Sequence, residues 1–368
     1  MNEKAILVGV FLPTEKKEIY KESFLELKLL TKTVGAAIVE DVIQSRQSID
    51  HKYFIGKGKV YEVKELVIKH NASVVIFNNA LTPSQQKNLE NALNIQVLDR
   101  TGLILDIFAQ RAHTQEAKLQ VELAQYEYLL PRLTRMWVHL SRQEGRIGTR
   151  GPGETQLEVD RRRITSKIKF LKNKIEKVRK HHQVLRKGRK KRGNYLVSLV
   201  GYTNAGKSTL LNSLTKSDVL VENMLFATLD PIVRHCHIDG LNNVLLIDTV
   251  GFIQRLPHQL VDAFKATLDE IKESDLLLQV IDATAKNVEI HINSVLQTLE
   301  EINSIDKNML LVFNKADSIE EDRRLYLVSL AKRLGCKYFF ISALHKTGLD
   351  PLLKEISNGY SALEKGQR

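Results

Sequence analysis

The sequence predicts a mixed α/β fold in which two α/β domains flank a long helical segment. Short apolar runs alternate with helical periodicity over residues 1–111, and the same alternation returns over residues 194–368. Between them, residues 112–193 lack strand signals and keep a helical period. A chain of 368 residues is long enough for two or three domains. We therefore place domains at 1–111, 112–193 and 194–368.

Composition limits the class of partner. Apolar residues make up 43% of the chain, which is enough to bury a core, and the net charge is +12 with an isoelectric point of about 9.4. This excess favours an anionic partner, either nucleic acid or an acidic surface. Cys236 and Cys336 have no ligand-like spacing, so neither a disulfide framework nor a zinc site is indicated.

The N-terminal residues do not have the pattern of a signal peptide, because charges flank a short apolar run. No apolar run approaches the ~18 residues of a membrane span. We expect a soluble, monomeric protein of the cytoplasm, with a fraction loosely associated with a membrane surface.

The first domain is predicted to be a small layered sheet. One helix has a clear start, because Thr82 can cap it and Pro83 suits its first position. Apolar periodicity gives strands over 5–12, 36–43, 73–77 and 96–98, and helices over 21–33 and 60–70.

A glycine-rich basic stretch, residues 54–59, precedes the helix at 60–70. It lacks the Lys-Ser ending of a phosphate-binding loop. We favour a tight turn before the helix, and a nucleotide site is the alternative.

Two long helices are predicted in the middle segment, over 115–140 and from about residue 154 onward. Pro131 is expected to end or kink the first helix. The second has apolar residues spaced four, three, four and three over 164–178, as in a coiled-coil seam. Because helices with a short connection pair antiparallel, we predict a helical hairpin. The apolar positions of the first helix are Leu119, Leu123, Tyr126 and Leu130.

Positive charge is concentrated in this hairpin. The connection over 141–153 holds four glycines and three arginines, and residues 161–192 hold sixteen Lys or Arg against one acid, a net charge of +15. A solvated helix face normally mixes signs to gain i,i+4 pairs. Self-repulsion of this size favours neutralisation by phosphates, through backbone and shape recognition of structured RNA. The candidate RNA-binding residues are Arg142, Arg146, Arg150, Arg161, Arg162, Arg163, Lys187 and Lys190.

The third domain opens with a strand candidate, 195–200, followed by a G-x-x-x-x-G-K-S pattern and a helical stretch. This is the context that a phosphate-binding loop (P-loop) requires. Its glycines let backbone N–H groups approach phosphate oxygens, Lys207 adds a charge toward the β and γ phosphates, and Ser208 offers a hydroxyl to Mg²⁺. Further strands are predicted over 232–238, 243–247, 275–281, 309–313 and 338–341, which indicates an open, mostly parallel sheet.

Two further motifs suit a nucleoside triphosphate. Asp248 ends an apolar strand and can hold Mg²⁺ through water, and the Gly251 N–H can bond the γ-phosphate. Between the loop and this strand, Thr228 is the candidate second hydroxyl ligand of Mg²⁺.

Guanine is indicated by the Asn-Lys-Ala-Asp segment that follows the strand over 309–313. The Asp317 carboxylate can accept both the N1–H and the N2–H of guanine, and adenine has no such donor pair. A backbone N–H of residues 342–344 can reach the guanine O6. The predicted nucleotide contacts are Gly201, Tyr202, Thr203, Asn204, Ala205, Gly206, Lys207, Ser208, Thr209, Phe226, Ala227, Thr228, Leu229, Asp230, Asp248, Thr249, Val250, Gly251, Asn314, Lys315, Ala316, Asp317, Ser342, Ala343 and Leu344.

The five motifs have the order and spacing of a translation-factor-related GTPase. More narrowly, the chain resembles the HflX family of ribosome-associated GTPases over nearly its whole length. The stretches that carry this resemblance are 114–125, 130–133, 151–158, 160–162, 226–230 and 248–252.

The resemblance implies an N-terminal α/β domain, a helical linker hairpin and a GTPase domain. It also implies binding to the large ribosomal subunit, with the hairpin tip reaching toward the peptidyl-transferase region, and splitting or rescue of stalled ribosomes, notably under heat stress. Some relatives carry a further domain beyond the helix expected at 349–356. The function of that domain is not among the functions that the resemblance implies for this chain.

The catalytic set is incomplete in one respect. Phe252 occupies the position where many GTPases have a glutamine that orients the attacking water, so Lys207, Thr228 and Gly251 are the remaining catalytic candidates. Intrinsic hydrolysis should be slow. The ribosome, a bound cation, Gln254 or Arg255 could order the water.

Asn204 suggests the hypothesis that K⁺ is bound as a second cation beside Mg²⁺. The alternative interpretation is that Asn204 forms an ordinary hydrogen bond that bridges the loop. Two other functions stay open: an RNA-binding or ribosome-assembly factor that uses GTP as a structural switch, and a tRNA-modification GTPase, for which no substrate domain is visible.

Overall fold

The computed structural model describes residues 3–136, 156–191, 193–215, 225–226, 229–238, 241–254 and 265–366. The described chain forms two compact units. One holds residues up to Gln110 together with Lys118–Glu176, and the other holds Arg111–Ala117 together with the residues from Lys177 onward.

In the first unit, four parallel strands form a sheet in the order β2-β1-β3-β4. Apolar side chains of these strands and of the neighbouring helices form its core. The predicted strands and helices are confirmed, with ends shifted by a few residues. The elements are β1 (Lys4–Phe11), α1 (Lys17–Thr33), β2 (Ala37–Ser45), α2 (Lys57–His70), β3 (Val74–Phe77), α3 (Pro83–Leu93), β4 (Gln96–Asp99) and α4 (Arg100–Arg111).

The start of α3 is confirmed in detail. The Thr82 hydroxyl accepts the Gln85 N–H at 3.3 Å, and the Gln85 side chain accepts the Thr82 N–H at 3.0 Å. This is a capping box with Pro83 at the first helical position. In the stretch at 54–59, Gly56 is the N-cap of α2 and residues 57–59 already belong to the helix.

The two long helices are present as α5 (Gln115–Met136) and α6 (Gln156–Lys191). Pro131, expected to end or kink the first helix, lies inside α5 and does not end it, and the kink stays a prediction. Within the first unit, Lys167 pairs with Glu122 at 3.0 Å and Lys172 with Glu127 at 2.8 Å. The antiparallel pairing stays a prediction.

A different face of α5 is buried from the one expected. Leu119, Leu123, Tyr126 and Leu130 are half-buried, whereas Ala117, Val121, Ala124 and Tyr128 are buried. The Tyr128 hydroxyl donates to Asp99 at 2.9 Å, and Arg132 bonds the same carboxylate at 3.2 Å. From residue 118 onward α5 therefore packs against the first sheet as well, which one-sided apolar spacing does not reveal.

The second unit contains a six-stranded sheet in the order β10-β9-β8-β5-β7-β6, parallel except for β6. The predicted mixed α/β fold with a mostly parallel nucleotide-domain sheet is confirmed. Its elements are β5 (Tyr195–Gly201), α7 (Lys207–Thr215), β6 (Ile232–Ile238), β7 (Leu241–Asp248), α8 (Lys265–Glu273), β8 (Leu276–Asp282), α9 (Val288–Glu301), β9 (Met309–Asn314), α10 (Glu321–Arg333), β10 (Lys337–Phe340) and α11 (Leu349–Gly366).

Both faces of this sheet are covered by helices, and its central strands are almost wholly buried. Parallel strands direct their carboxyl ends to one edge, which is where ligands of such sheets bind. The loops after β5, β7, β8 and β9 leave that edge in this protein.

Candidate nucleotide-binding site

The loop between β5 and α7 requires its two glycines. Gly201 has φ +156°, and a Cβ there would lie 2.2 Å from the Val280 carbonyl oxygen. Gly206 has φ +91°, and a Cβ there would lie 2.2 Å from Asn314 Nδ2. Any other side chain at either position would displace β8 or the side chain of Asn314, the last residue of β9. The backbone can therefore curl tightly before the N-terminus of α7.

Lys207 is held inside this loop. Its Nζ donates to the Gly201 carbonyl at 3.1 Å and to the Tyr202 carbonyl at 3.0 Å, and the residue is 6% exposed. Burial lowers the pKa of the ammonium to about 8, although the nearby Asp248 carboxylate opposes this. The side chain is thus positioned, before any phosphate contact, by carbonyls of the loop itself.

Ser208 and Asp248 bring two oxygen ligands together. The Ser208 hydroxyl donates to Asp248 Oδ2 at 2.6 Å, and Asp248 is fully buried at the end of β7. The next residue is fixed by its own hydroxyl, since Thr249 donates to the Leu199 carbonyl at 2.6 Å.

These donors fit Mg²⁺, which takes one or two protein oxygens and completes its shell with phosphates and water. The part of the chain that the structure describes contains no group of three or more His, Cys, Asp or Glu residues placed to hold a metal by themselves. GTPase folds generally use Mg²⁺ in this manner.

Asn314 connects the phosphate loop to a second loop. Its Nδ2 donates to the Ala205 carbonyl at 2.9 Å, and its Oδ1 accepts the Ala343 N–H at 2.9 Å. Lys315 has φ +61° and donates to Asp282 at 2.6 Å and to the Asn204 carbonyl at 3.2 Å. Two of the predicted base-recognition residues therefore also brace the loop.

Asp317 lies on a short 3₁₀ turn, Ala316–Ser318, at the rim of the second loop. Hydrogen bonds from the Ser342 and Ser318 hydroxyls hold the pKa of its carboxyl below the usual range, and His345, at 3.7 Å, adds to this effect. The Ala316 N–H donates to the Ile341 carbonyl at 3.0 Å. An ionised, acceptor-only Asp317 suits the two neighbouring N–H donors of guanine.

The residues after Asp248 are pinned to the phosphate loop through their backbone. The Phe252 N–H donates to the Gly201 carbonyl at 3.1 Å, and the Phe252 carbonyl accepts the Thr203 N–H at 2.8 Å. A Cβ at Gly251 would lie 2.8 Å from Thr203 Cα, so only glycine allows this approach. Phe252 itself is 5% exposed and packs inward.

Sequence reasoning missed the side-chain support of this contact. The Tyr202 ring stacks on His291 of α9 with centroids 3.9 Å apart and planes 8° apart. The Tyr202 hydroxyl accepts the Gln254 N–H at 3.0 Å. An aromatic residue directly after the first loop glycine is the only signal the sequence offers, because His291 lies 89 positions further on.

Several predicted residues are placed apart from this cluster or outside the described ranges. Ala227, Thr228 and Arg255 lie outside them, as do the tip arginines Arg142, Arg146 and Arg150. Phe226 and Leu229, on either side of Thr228, are buried, and Leu344 is 74% exposed. Asn204 is exposed with φ +61°, and the bond it supplies to Lys315 comes from its backbone carbonyl.

The described helices include none that is long and apolar enough to cross a membrane. The candidate RNA-binding residues Arg161, Arg162 and Arg163 are exposed on α6, and Lys187 and Lys190 lie further along the same helix.

A phosphate loop, an oxygen pair for a divalent cation and a base loop that favours guanine, all at one edge of a mostly parallel sheet, define a P-loop GTPase. Comparison with known proteins agrees. Residues 21–109 match a family described as "GTP-binding GTPase N-terminal", residues 111–189 match "GTP-binding GTPase Middle Region", and residues 196–315 match "50S ribosome-binding GTPase".

Individual relatives narrow the class of protein from P-loop GTPases to one family. GTPase HflX of Caldanaerobacter subterraneus is 47% identical over 96% of this chain and 80% of its own length. GTPase HflX of Flavobacterium psychrophilum is 51% identical over 86% and 76%, and that of Escherichia coli K12 is 48% identical over 87% and 74%. A crystal structure of SsGBP in complex with GDP aligns over 99% of both chains at 29% identity, with a TM-score of 0.55. The chain belongs to the HflX family of GTPases, and its activity is GTP hydrolysis.

Proposed function

We propose that this GTPase binds the large ribosomal subunit in its GTP form. Contact with the subunit completes the catalytic site for GTP hydrolysis, and the protein leaves the subunit after hydrolysis. Three observations support the proposal. The nucleotide domain matches a family described as 50S ribosome-binding, α6 carries concentrated positive charge, and Phe252 leaves the water-ordering position without a polar group.

Each site residue has a proposed role. The N–H groups of the loop over 201–209 and the N-terminus of α7 face the phosphates, and Lys207 would exchange its carbonyl partners for β and γ oxygens. Ser208, Asp248 and Thr228 would hold Mg²⁺, which neutralises phosphate charge as it develops. Asp317 reads the base. These roles are proposals for this chain.

The proposed dependence of GTP hydrolysis on the ribosome rests on Phe252. Its side chain can neither donate nor accept a hydrogen bond, and its backbone is fixed between Gly201 and Thr203. Gln254 is 4% exposed and so lies within the protein. We infer that the ribosome or a bound cation orders the attacking water, and K⁺ near Asn204 is the specific hypothesis for the cation. Gln254 and Arg255 are the alternatives within the chain.

The RNA-binding part of the proposal rests on α6. Described residues 161–180 include three consecutive exposed arginines, and Lys167 and Lys172 pair with Glu122 and Glu127 of α5. We infer that the exposed arginines contact rRNA phosphates. The domain division at 111 and 193, the hairpin geometry and the monomeric state belong to this proposal as well.

The deciding experiment measures GTP hydrolysis by the full chain with and without purified large subunits, each in KCl and in NaCl. We expect slow intrinsic turnover and strong stimulation by the subunits. Lys207→Ala, which removes the phosphate-binding ammonium, is the control for contaminating GTPases. Absence of stimulation would favour an assembly or RNA-binding factor that uses GTP as a structural switch. Equal rates in the two salts, free and subunit-bound, would rule out K⁺.

Splitting and rescue of stalled ribosomes are the expected biological outcomes. Sedimentation of intact ribosomes after incubation with the protein and a non-hydrolysable GTP analogue tests splitting directly, before and after heat treatment. Intact ribosomes that stay associated under both conditions would contradict this part of the proposal.

A further inference from the structure

Asp230 receives three hydrogen bonds from the chain just before and at the start of α5. Its Oδ2 accepts the His113 N–H at 3.2 Å and the Thr114 N–H at 3.0 Å. The Thr114 hydroxyl donates to Oδ1 of the same carboxylate. All three residues belong to the second unit, although more than a hundred residues separate Asp230 from the others.

Thr114 passes this contact on to the helix. Its Oγ1 accepts the Ala117 N–H at 3.2 Å, so Thr114 is the N-cap of α5. Asp230 thus places a negative charge at a helix N-terminus, where unpaired N–H groups and the helix dipole favour an anion. The helix continues from Gln115 out of the second unit and, from Lys118, into the first.

The position of Asp230 in the sequence gives this cap a second connection. Asp230 follows Thr228 by two residues and precedes Pro231 and the first residue of β6, Ile232. Two residues of extended chain span about 7 Å at most. Leu229 and Asp230 are therefore the short connection between Thr228 and β6, which is held in the sheet.

We propose that Asp230 is a nucleotide-responsive cap, through which the state of the loop around Thr228 reaches the first turn of α5. The inference rests on the proposed role of Thr228 as a ligand of Mg²⁺ when GTP is bound. GTP draws Thr228 to the cation and GDP does not, so the two nucleotides leave the Asp230 carboxylate in different relations to His113 and Thr114.

Thermodynamic reciprocity gives the cap a second effect. If the bound nucleotide alters the hydrogen bonds of Asp230, then loss of those hydrogen bonds must alter the relative affinities for GTP and GDP. The helix that responds is the one whose later residues, Tyr128 and Arg132, bond Asp99 in the first unit.

Hydrogen–deuterium exchange of the full chain tests the inference, because the His113 and Thr114 amides are themselves the donors. Exchange is measured in peptides covering 112–120, with saturating GDP and with a saturating non-hydrolysable GTP analogue. We expect exchange rates that differ by about five-fold or more between the nucleotides. In Asp230→Ala the difference should vanish, and in Thr114→Val, which keeps both backbone donors, it should shrink.

Matched variants distinguish loss of the helix cap from a general loss of structure. Thr114→Ser keeps the hydroxyl and should restore the difference. Asp322→Ala removes an exposed carboxylate from the first turn of α10 and should leave it unchanged. Nucleotide affinities, measured on the same samples with fluorescent GDP and GTP analogues, should give a changed GTP-to-GDP ratio in Thr114→Val.

The outcomes are distinguishable. If both nucleotides bind and the exchange rates in 112–120 are equal, the cap does not respond to nucleotide and the inference is wrong. A difference that persists unchanged in Asp230→Ala also overturns it. If neither nucleotide binds, the proposed function is wrong, and the inference, which rests on it, is wrong as well.

Discussion

Lys207 is a buried lysine of the phosphate loop whose pKa is set by its surroundings. Buried against two carbonyls, it has a pKa of about 8 instead of its usual value near 10.5. Phosphate oxygens favour the charged ammonium, so bound nucleotide raises this pKa. The folded, ligand-free pKa is depressed, and binding restores the proton.

From this we expect proton uptake on nucleotide binding above about pH 8, where Lys207 is partly neutral before binding. Below that pH the lysine is already charged, and affinity should not depend on its titration. Above it, affinity should fall with rising pH, by about tenfold per unit at most. Calorimetry of GDP binding in buffers of different ionisation enthalpy measures the uptake.

A matched variant identifies the titrating group. Lys315→Arg replaces the other lysine of the site with a side chain that stays charged, and the uptake should persist in it. Proton uptake that is absent from the unmodified chain, or that disappears in Lys315→Arg, would contradict the assignment to Lys207.

Asp317 carries the prediction on base specificity. Asp317→Asn replaces an acceptor-only carboxylate with an amide that has both a donor and an acceptor, which matches xanthine. The N1–H and N2–H of guanine both lose their hydrogen bond to a charged carboxylate, so GTP affinity should fall roughly 10²- to 10⁴-fold. XTP affinity should rise.

Competition between labelled GTP and unlabelled XTP measures this exchange of preference. Asp306→Asn, a change of the same kind at an exposed position, should leave it untouched. An Asp317→Asn variant that keeps the original preference for GTP would remove Asp317 from its proposed role.

At the scale of single elements, α6 is unusual because its charge cannot be balanced along its own length. Residues 161–192 have a net charge of +15, and like charges at i,i+4 destabilise a helix. On the described part of α6, the burial of Leu171 and Ile175 compensates for this repulsion within the first unit. The arginines at 161–163 are exposed, so their charge lies on the surface of this helix.

The salt dependence of subunit binding tests this surface. Affinity for large subunits should fall steeply with salt, and the paired change Arg161→Gln with Arg162→Gln should reduce the slope of log affinity against log salt by roughly 1–2. Filter binding or sedimentation at several KCl concentrations gives the slopes. Lys332→Gln with Lys354→Gln, at exposed positions on α10 and α11, is the control. Equal slopes for the unmodified chain and the Arg161/Arg162 variant would contradict contact through these arginines.

At the scale of the whole molecule, the chain passes between its two compact units more than once. Residues 111–117 belong to the second unit although the chain on either side belongs to the first, and α6 runs from the first unit into the second at Lys177. Both long helices are therefore shared elements. The first turn of α5 belongs to the unit that contains the nucleotide site, and the rest of the helix belongs to the first unit. A change in the cap formed by Asp230 therefore affects a helix that both units share.

The sequence by itself determined the motifs of the site and most of the elements. The P-loop glycines, Asp248 and the Asn-Lys-Ala-Asp segment are recognisable because each is a short pattern next to a buried strand, and local backbone chemistry dictates both. The capping box of Thr82 and Gln85 was predictable for the same reason. Helix α4 was not predicted, because six consecutive residues from Arg100 to Leu105 are buried and no one-sided period remains.

Only the tertiary structure decided which surfaces meet. The buried face of α5 is set by Tyr128 and its contact with Asp99, and Pro131 is accommodated within that helix. The Tyr202–His291 stack and the Asp230–Thr114 cap join residues 89 and 116 positions apart. Periodicity and short motifs report a residue's neighbours along the chain, whereas these contacts depend on where folding brings distant segments. The phosphate loop could therefore be recognised from sequence, and the contact of Asp230 with the start of α5 could not.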